Sequence, residues 1–168
     1  MEISNLNLVA DKDPILHTRV DEFDFKNPPV NPLELKDKLC EILDKHNALG
    51  LSANQVGLPY RVFVTKGHYC FFNPRMVDLG DEQIILEEGC LSFPNVFPKI
   101  KRPRRIRMRA ANEHGDVVTH KFHDLTARIC LHEYDHLEGK TFDEAASKFS
   151  WERAIRKKKL LERRQKNV

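Results

Sequence analysis

One short segment limits the possible folds of this chain more than any other, the run ICLHEYDHLEG at residues 129–139. It places His132 and His136 four residues apart, with Glu133 directly after the first histidine. On an α-helix, residues at i and i+4 lie on the same face, so both rings can point at one ion. Glu133 then lies close enough to contact a water on that ion without binding the ion itself, which is the physical basis of the HExxH pattern. The segment predicts a helix with two metal ligands. The alternative interpretation is an amphipathic helix whose two histidines are core residues.

A metal held by two histidines needs a further protein ligand, and the sequence offers several. The extended zinc-protease pattern finds Phe142 where its third histidine should be. A downstream glutamate, Glu144 or Glu152, would give a protease-like site in a short chain. The upstream candidate is Cys90, which follows a glycine at the end of a predicted apolar strand, where backbone can approach a ligand closely. A buried structural thiol is the alternative interpretation of Cys90.

The hydrophobic pattern predicts alternating short elements. Asn31 can cap a helix that runs to about residue 49, with proline at its first position. Strands are predicted over residues 60–65, 69–74 and 82–89, and two more within residues 104–124. A buried helix follows over residues 125–137 and ends at Gly139, and the basic run KIKRPRRIRMR (99–109) is interpreted as a solvent-facing edge.

Length and composition indicate one globular domain. The chain has 168 residues, no apolar run long enough to span a bilayer and no visible secretion signal at its N-terminus. Four cysteines in a chain of this size do not suggest a disulfide scaffold, so a reducing compartment is expected. The net charge of +3 is uneven, because nine Lys and Arg against two Glu fall in residues 148–168.

Three segments, GLSANQ (50–55), EGCLS (88–92) and HEYDH (132–136), together resemble the signature segments of peptide deformylase. Similar runs at DPIL, IKRPRRIRM and LTARICLHEYDHLEGKTF extend the resemblance over most of residues 10–145. It implies an α+β fold, with short antiparallel sheets around a central helix that carries HExxH and a C-terminal helix. Residues 1–147 would form the catalytic part and residues 148–168 a basic tail of the same domain.

By this resemblance, Cys90, His132 and His136 bind one divalent metal, Fe(II) in most members, with Zn, Ni or Co as possible replacements. The implied reaction is hydrolysis of the formyl group from the N-terminal formyl-methionine of nascent polypeptides. Glu133 would carry the proton as general base and then general acid. The Gln55 side chain and the Leu91 backbone N–H would stabilise the negative oxygen of the intermediate.

The resemblance also assigns substrate contacts. Backbone at Leu49, Gly50 and Gly89 would pair with the peptide as an added strand. The expected walls of the methionine pocket are Leu49, Leu86, Leu125 and Ile129. The chain departs from the family pattern at four of its residues, namely Ala48, Ser52, Leu131 and Phe97, and the last of these puts contacts beyond the methionine in doubt.

The partners follow from the same resemblance and from charge. Clustered Lys and Arg in the tail would suit phosphate contacts, so docking on the ribosome near the exit tunnel is one interpretation and a solvated terminal helix is the other. We expect no membrane association, and a location in the cytoplasm, in an organelle matrix or, for a viral protein, in the host cytoplasm. Two alternatives to a deformylase remain, an HExxH protease and a ribosome-binding module on an inactive deformylase-like body.

Overall fold

The computed structural model describes residue 3 and residues 6–166 of the chain. Six positions lie outside the described residues. They are residues 1, 2, 4 and 5 of the predicted catalytic part and residues 167 and 168 of the predicted basic tail. The fold is α+β, as predicted, and its regular elements alternate along the chain. In order they are α1 (Pro32–Lys45), β1 (Gly50–Ser52), β2 (Val62–Thr65), β3 (Tyr69–Leu79), β4 (Gln83–Glu87), β5 (Lys99–Pro103), β6 (Arg105–Ala111), β7 (Val117–His123), α2 (Asp124–Leu137), α3 (Phe142–Ala145) and α4 (Lys148–Lys166).

The strands form two antiparallel sheets. Five of them make a sheet in the order β1-β2-β3-β6-β7, and β4 pairs with β5 in a separate hairpin. β1 is therefore an edge strand, and no other strand of the described residues pairs with its outer side. The α2 helix contacts strands of both sheets, which makes it the centre of the molecule.

The local sequence explains where the helices begin and end. Asn31 caps α1, since its side-chain oxygen accepts hydrogen bonds from the backbone N–H groups of Leu33 and Glu34 at 2.9 and 3.3 Å. α2 ends just before Gly139, which has a φ of +70°. A Cβ there would lie 2.6 Å from the carbonyl carbon of Thr18, so only glycine lets these two backbones meet.

The first half of α4 belongs to the core. Ala154 is buried in a cluster with Val96, Ile100 and Phe142, and Trp151 packs against the same group. Ser150 fixes the helix to β5, because its hydroxyl accepts from the Lys99 N–H at 2.7 Å and donates to the Lys99 carbonyl at 2.9 Å. The helix therefore packs on the body of the protein before its basic end extends outward.

The prediction of one solvent-facing edge for residues 99–109 is wrong. The run divides into β5 and β6, which lie in different sheets. Its alternating residues also differ in burial, because Lys99 and Lys101 are exposed whereas Ile100 and Arg102 are buried. Among the described residues, the helices all lack the combination of length and apolar character that a bilayer crossing requires.

Candidate active site

Three side chains with metal-binding atoms meet where α2 faces the segment that follows β4. The ligand atoms of Cys90, His132 and His136 all lie within 4.8 Å of one another. The Cys90 Sγ atom is 3.2 Å from Nε2 of His136. Both histidines are buried, and Cys90 is partly exposed towards a cavity. The structure thus brings together the three residues that the sequence proposed as ligands.

Glu88 fixes the orientation of the first histidine. Its Oε2 atom lies 3.0 Å from Nδ1 of His132. Burial alone would raise the pKa of Glu88, but hydrogen bonds from His132 and Arg102 outweigh it and lower the pKa to about 2. A carboxylate with no proton can only accept, so Nδ1 of His132 donates to Glu88, and Nε2 is the ring nitrogen left for a metal ion.

Two buried arginines hold Glu88 in turn. Arg102 donates from Nε and from a terminal nitrogen to the two carboxylate oxygens at 2.6 and 3.0 Å, and Arg128 donates to Oε1 at 2.6 Å. Arg102 also reaches Asp135 at 2.7 Å, and Arg128 reaches the carbonyl oxygens of Ile84 and Ile100. This network ties β4, β5 and α2 together around one ring nitrogen.

The network is the part of the site that our sequence reasoning missed. In the sequence, Glu88 stands out only as part of the EGCLS segment, and no motif points to Arg102 or Arg128. One signal was available, because Arg102 and Arg128 fall on the apolar faces of a strand and a helix. Lone charges at such positions are rarely buried without a partner.

The second histidine is held through its backbone. The side-chain amide of Asn54 donates to the His136 carbonyl at 2.6 Å, and Arg61 donates to the Leu137 carbonyl at 3.3 Å. These bonds satisfy carbonyl groups that the end of α2 leaves without helical partners. They also link the GLSANQ segment to the helix that carries the two histidines.

Glu133 lies beside the cluster of Cys90, His132 and His136 but does not belong to it. It is buried, lines the cavity, and its Oε2 atom has no hydrogen-bond partner among the described residues. Burial raises the pKa of Glu133 to about 7. A Cβ on Gly50 would lie 2.4 Å from Oε1 of Glu133, so the glycine at the start of β1 makes room for this carboxyl group.

The Gln55 side chain is oriented by Ser52. The backbone N–H and the hydroxyl of Ser52 both donate to Oε1 of Gln55, each at 3.0 Å. The amide nitrogen is therefore turned towards Cys90 Sγ at 3.5 Å and Ser92 Oγ at 3.1 Å. The hydroxyl of Ser52 thus supplies one of the two bonds to Oε1 of Gln55.

Cys90, His132, Glu133 and Gln55 line one cavity of about 780 Å³. The predicted residues that line it are Leu49, Gly50, Gln55, Gly89, Cys90, Leu91, Leu125, Ile129, His132 and Glu133. Leu49 and Leu125 are 43% and 52% exposed, so they are not core residues. The Leu91 N–H has no hydrogen-bond partner in the part of the chain that the structure describes.

The structure does not support one predicted pocket wall, Leu86. This residue is not among those that line the cavity, and its side chain is 45% exposed. It lies inside β4, opposite Ile100 of β5, whereas the lining of the cavity on this side begins at Glu87.

The donor set fits a divalent transition metal. One sulfur and two imidazole nitrogens suit iron, zinc, nickel or cobalt better than magnesium or calcium, which prefer oxygen. Three protein ligands beside an open cavity are typical of a catalytic metal site, whereas structural sites are closed by a fourth. A buried carboxyl group next to such a set defines a class, the metal-dependent hydrolases.

Comparison with known proteins identifies the family within this class. The family model described as Polypeptide deformylase matches residues 5–151. A peptide deformylase of Pseudothermotoga lettingae is 37% identical over 138 residues, 77% of this chain and 76% of its own length. That of Bartonella henselae is 34% identical over 158 residues, 89% of each chain. The chain belongs to the peptide deformylase family, whose members remove the formyl group from N-terminal methionine.

Solved structures agree with this assignment. The peptide deformylase of Thermotoga maritima superimposes with a TM-score of 0.77 at 30% identity, over 84% of this chain and 97% of that one. The Plasmodium falciparum peptide deformylase, solved with an inhibitor, gives a TM-score of 0.83 at 29% identity, over 94% and 99%. The α+β fold and the metal-dependent deformylase activity predicted from the sequence are confirmed.

Proposed function

We propose that Cys90, His132 and His136 hold the metal of this deformylase, and that the ion is Fe(II), with zinc, nickel or cobalt able to replace it. The observation that carries the proposal is the convergence of three ligand atoms within 4.8 Å of one another at the wall of the cavity. A bound divalent ion polarises a carbonyl group and lowers the pKa of a water molecule that it holds towards about 7. The remaining steps belong to side chains and backbone of the protein.

Glu133 is the proton carrier in this proposal. It follows His132 on α2, lines the cavity and has a carboxylate oxygen with no hydrogen-bond partner in the part of the chain that the structure describes. It takes the proton from the attacking water and gives it to the amine that leaves, so that one group acts first as a base and then as an acid. The bond that breaks joins the formyl carbon to the methionine nitrogen.

Two donors stabilise the oxygen that becomes negative during the attack. The Gln55 amide nitrogen is aimed at the cavity by Ser52, and the Leu91 N–H lies directly after the cysteine ligand. Removing one such preorganised donor typically costs about 3–4 kcal/mol of transition-state stabilisation.

The substrate peptide lies between the edge of β1 and the segment after β4. Gly50 pairs with Thr65 of β2, and within the described residues no strand pairs with the other side of β1, which can therefore take the backbone of an added strand. Gly89 forms the opposite wall. The methionine side chain then contacts Leu49, Leu125 and Ile129, whose apolar surfaces line the cavity.

Formate release from formyl-Met-Ala-Ser tests this assignment, with protein loaded with Fe(II) in the absence of oxygen. We expect Cys90→Ser to lose both the metal and the activity. Cys40→Ser, a matched loss of a buried thiol in α1, should keep both. Full metal occupancy and a normal rate in Cys90→Ser would overturn the ligand assignment.

The basic end of α4 is proposed to dock on ribosomal RNA, in a compartment where translation occurs and thiols stay reduced. Exposed Lys159, Arg163 and Arg164 lie beyond the part of the helix that packs on the core. Lys159→Glu combined with Arg163→Glu and Arg164→Glu should abolish cosedimentation with ribosomes and leave peptide deformylation unchanged. Cosedimentation equal to that of the unaltered protein would exclude this docking role.

A further inference from the structure

A second cavity of about 720 Å³ adjoins the catalytic one. It lies between the β4–β5 hairpin and the first half of α4. Glu87 and Phe97 line both cavities, so a chain that leaves the catalytic cavity past these two residues enters the second one. We call this second cavity the hairpin groove.

The walls of the hairpin groove carry unpaired positive charge. Lys99 and Lys101 project from one face of β5, two residues apart, and Arg153 and Lys157 lie one turn apart on α4. All four side chains are exposed, and none forms an ion pair within the described residues. The lining contains one acidic residue, Glu87.

Apolar surface lies between these charges. Ile85 is 61% exposed and faces Lys101 across the hairpin, and Phe149 is 75% exposed one turn before Arg153 on α4. Phe97, half-exposed, stands at the junction with the catalytic cavity. An apolar groove with a positive rim suits a chain that carries acidic and apolar side chains together.

We propose that the hairpin groove is an additional substrate subsite, which binds acidic and apolar residues of the formylated peptide downstream of those in the catalytic cavity. The inference rests on the proposed function, because it extends the same bound peptide. Continuity of the two cavities through Glu87 and Phe97 favours the substrate as the occupant. An extended peptide advances about 3.3 Å per residue, so residues beyond the first few reach the groove.

The test compares deformylation kinetics on formylated octapeptides that differ in a single residue. Aspartate or lysine is placed in turn at each of positions four to eight of a neutral sequence that starts with formyl-methionine. We expect KM to be about three- to tenfold lower for aspartate than for lysine over one or two adjacent positions, with kcat unchanged. The difference should shrink in high salt, because screening weakens exposed charge pairs.

Charge reversal makes the test specific. In Lys101→Glu combined with Arg153→Glu, the preference should invert, so that lysine peptides gain the lower KM. The matched control is Arg107→Glu combined with Lys121→Glu, an exposed cross-strand pair on β6 and β7 that lines neither cavity. This control variant changes the net charge by the same amount as the groove variant, and it should keep the lower KM for aspartate peptides.

The outcomes separate this inference from the proposed function. Formyl-Met-Ala is too short for the groove, so its kcat/KM should be the same in all three proteins. If the unaltered protein does not deformylate formyl-Met-Ala, the proposed function is wrong. Normal activity with the same KM for aspartate and lysine peptides would overturn the subsite. A third outcome would assign the groove to RNA instead. In that case the unaltered protein shows the same KM for aspartate and lysine peptides and binds oligo-uridine, and the variant with Lys101→Glu and Arg153→Glu no longer binds oligo-uridine.

Discussion

Two carboxyl groups lie on opposite sides of His132, and their surroundings differ. On the side of β5, Glu88 accepts hydrogen bonds from two arginines and a histidine, and its pKa falls to about 2. On the side of the cavity, Glu133 is just as buried, but Oε2 has no partner among the described residues, and burial raises its pKa to about 7. The same functional group is thus held ionised at one place and left available at the other.

The difference indicates which of the two carboxyl groups is fixed by its partners and which one is free to exchange a proton. A buried carboxylate whose lone pairs are filled by fixed donors orients a ligand and cannot exchange a proton at neutral pH. A buried carboxyl group with an open oxygen beside a cavity can exchange one with a substrate or with water. Changes on the cavity side should therefore alter the reaction rate, whereas changes on the network side should alter metal retention and stability.

The largest effect is expected from Glu133→Gln. The amide has the same shape but cannot take a proton, so kcat should fall by about 10³- to 10⁴-fold. Metal content should stay normal, since residue 133 lies outside the cluster of Cys90, His132 and His136. Formate release measures the fall in kcat, and metal analysis of the same preparation measures the metal content. A normal rate with a full complement of metal would show that Glu133 takes no part in the reaction.

The next effect is expected from Gln55→Met, which keeps the length of the side chain and removes the amide donor. We expect kcat to fall by about 10²- to 10³-fold with little change in KM, because the lost bond strengthens only in the transition state. Ser52→Ala is the control. It removes one of two donors to Gln55 Oε1 and leaves the backbone N–H in place, so its effect on kcat should be several-fold at most. Equal losses in both variants would mean that Gln55 acts through packing.

A smaller effect is expected from Gly50→Ala, which displaces Glu133 without changing it. The new Cβ would lie 2.4 Å from Oε1, and a shift of about 1 Å in a catalytic group can cost about 10²-fold in rate. Gly80→Ala is the matched control, because its Cβ would meet the exposed and flexible side chain of Arg105. Deformylation kinetics of the two variants should differ by that factor, and equal rates would show that Glu133 tolerates displacement.

Sequence patterns predicted the catalytic side of this comparison. Helical spacing placed His132, Glu133 and His136 on one face of α2. The need for a further ligand made Cys90 a candidate, and the resemblance selected it and assigned Gln55 its role. The predicted helices and strands all exist, although their ends differ by several residues. The α1 helix, for example, ends at Lys45 rather than near residue 49, and Asn47 then adopts a φ of +48°.

Sequence patterns did not predict the network side, for a physical reason. Glu88, Arg102 and Arg128 are separated by 14 and 26 positions, and they meet only because the register of the β4–β5 hairpin and its packing on α2 bring them together. Pairing at such a distance has no local spacing rule of the kind that relates i to i+4 on a helix. The positive face of the hairpin groove was hidden likewise, because its charges come from two elements that are distant in sequence.

The last prediction concerns the network itself. Glu88→Gln should weaken metal binding by about 10- to 100-fold, because His132 loses the carboxylate that fixes its ring. Asp135→Asn is the control, since Asp135 bonds Arg102 but not His132, and its metal affinity should stay normal. Competition with a chelator measures both.

The same variant should also be less stable, in a way that depends on pH. The pKa of Glu88 is about 2 in the folded protein against 4.5 in the unfolded chain, so ionised Glu88 contributes roughly 3 kcal/mol to the free energy of unfolding. This contribution is complete above about pH 4.5 and is lost as pH falls towards 2. The stability gap between Glu88→Gln and the unaltered protein should therefore be largest near neutral pH and close as the solution is acidified. A gap that stays constant with pH would show that Glu88 contributes by shape and not by charge.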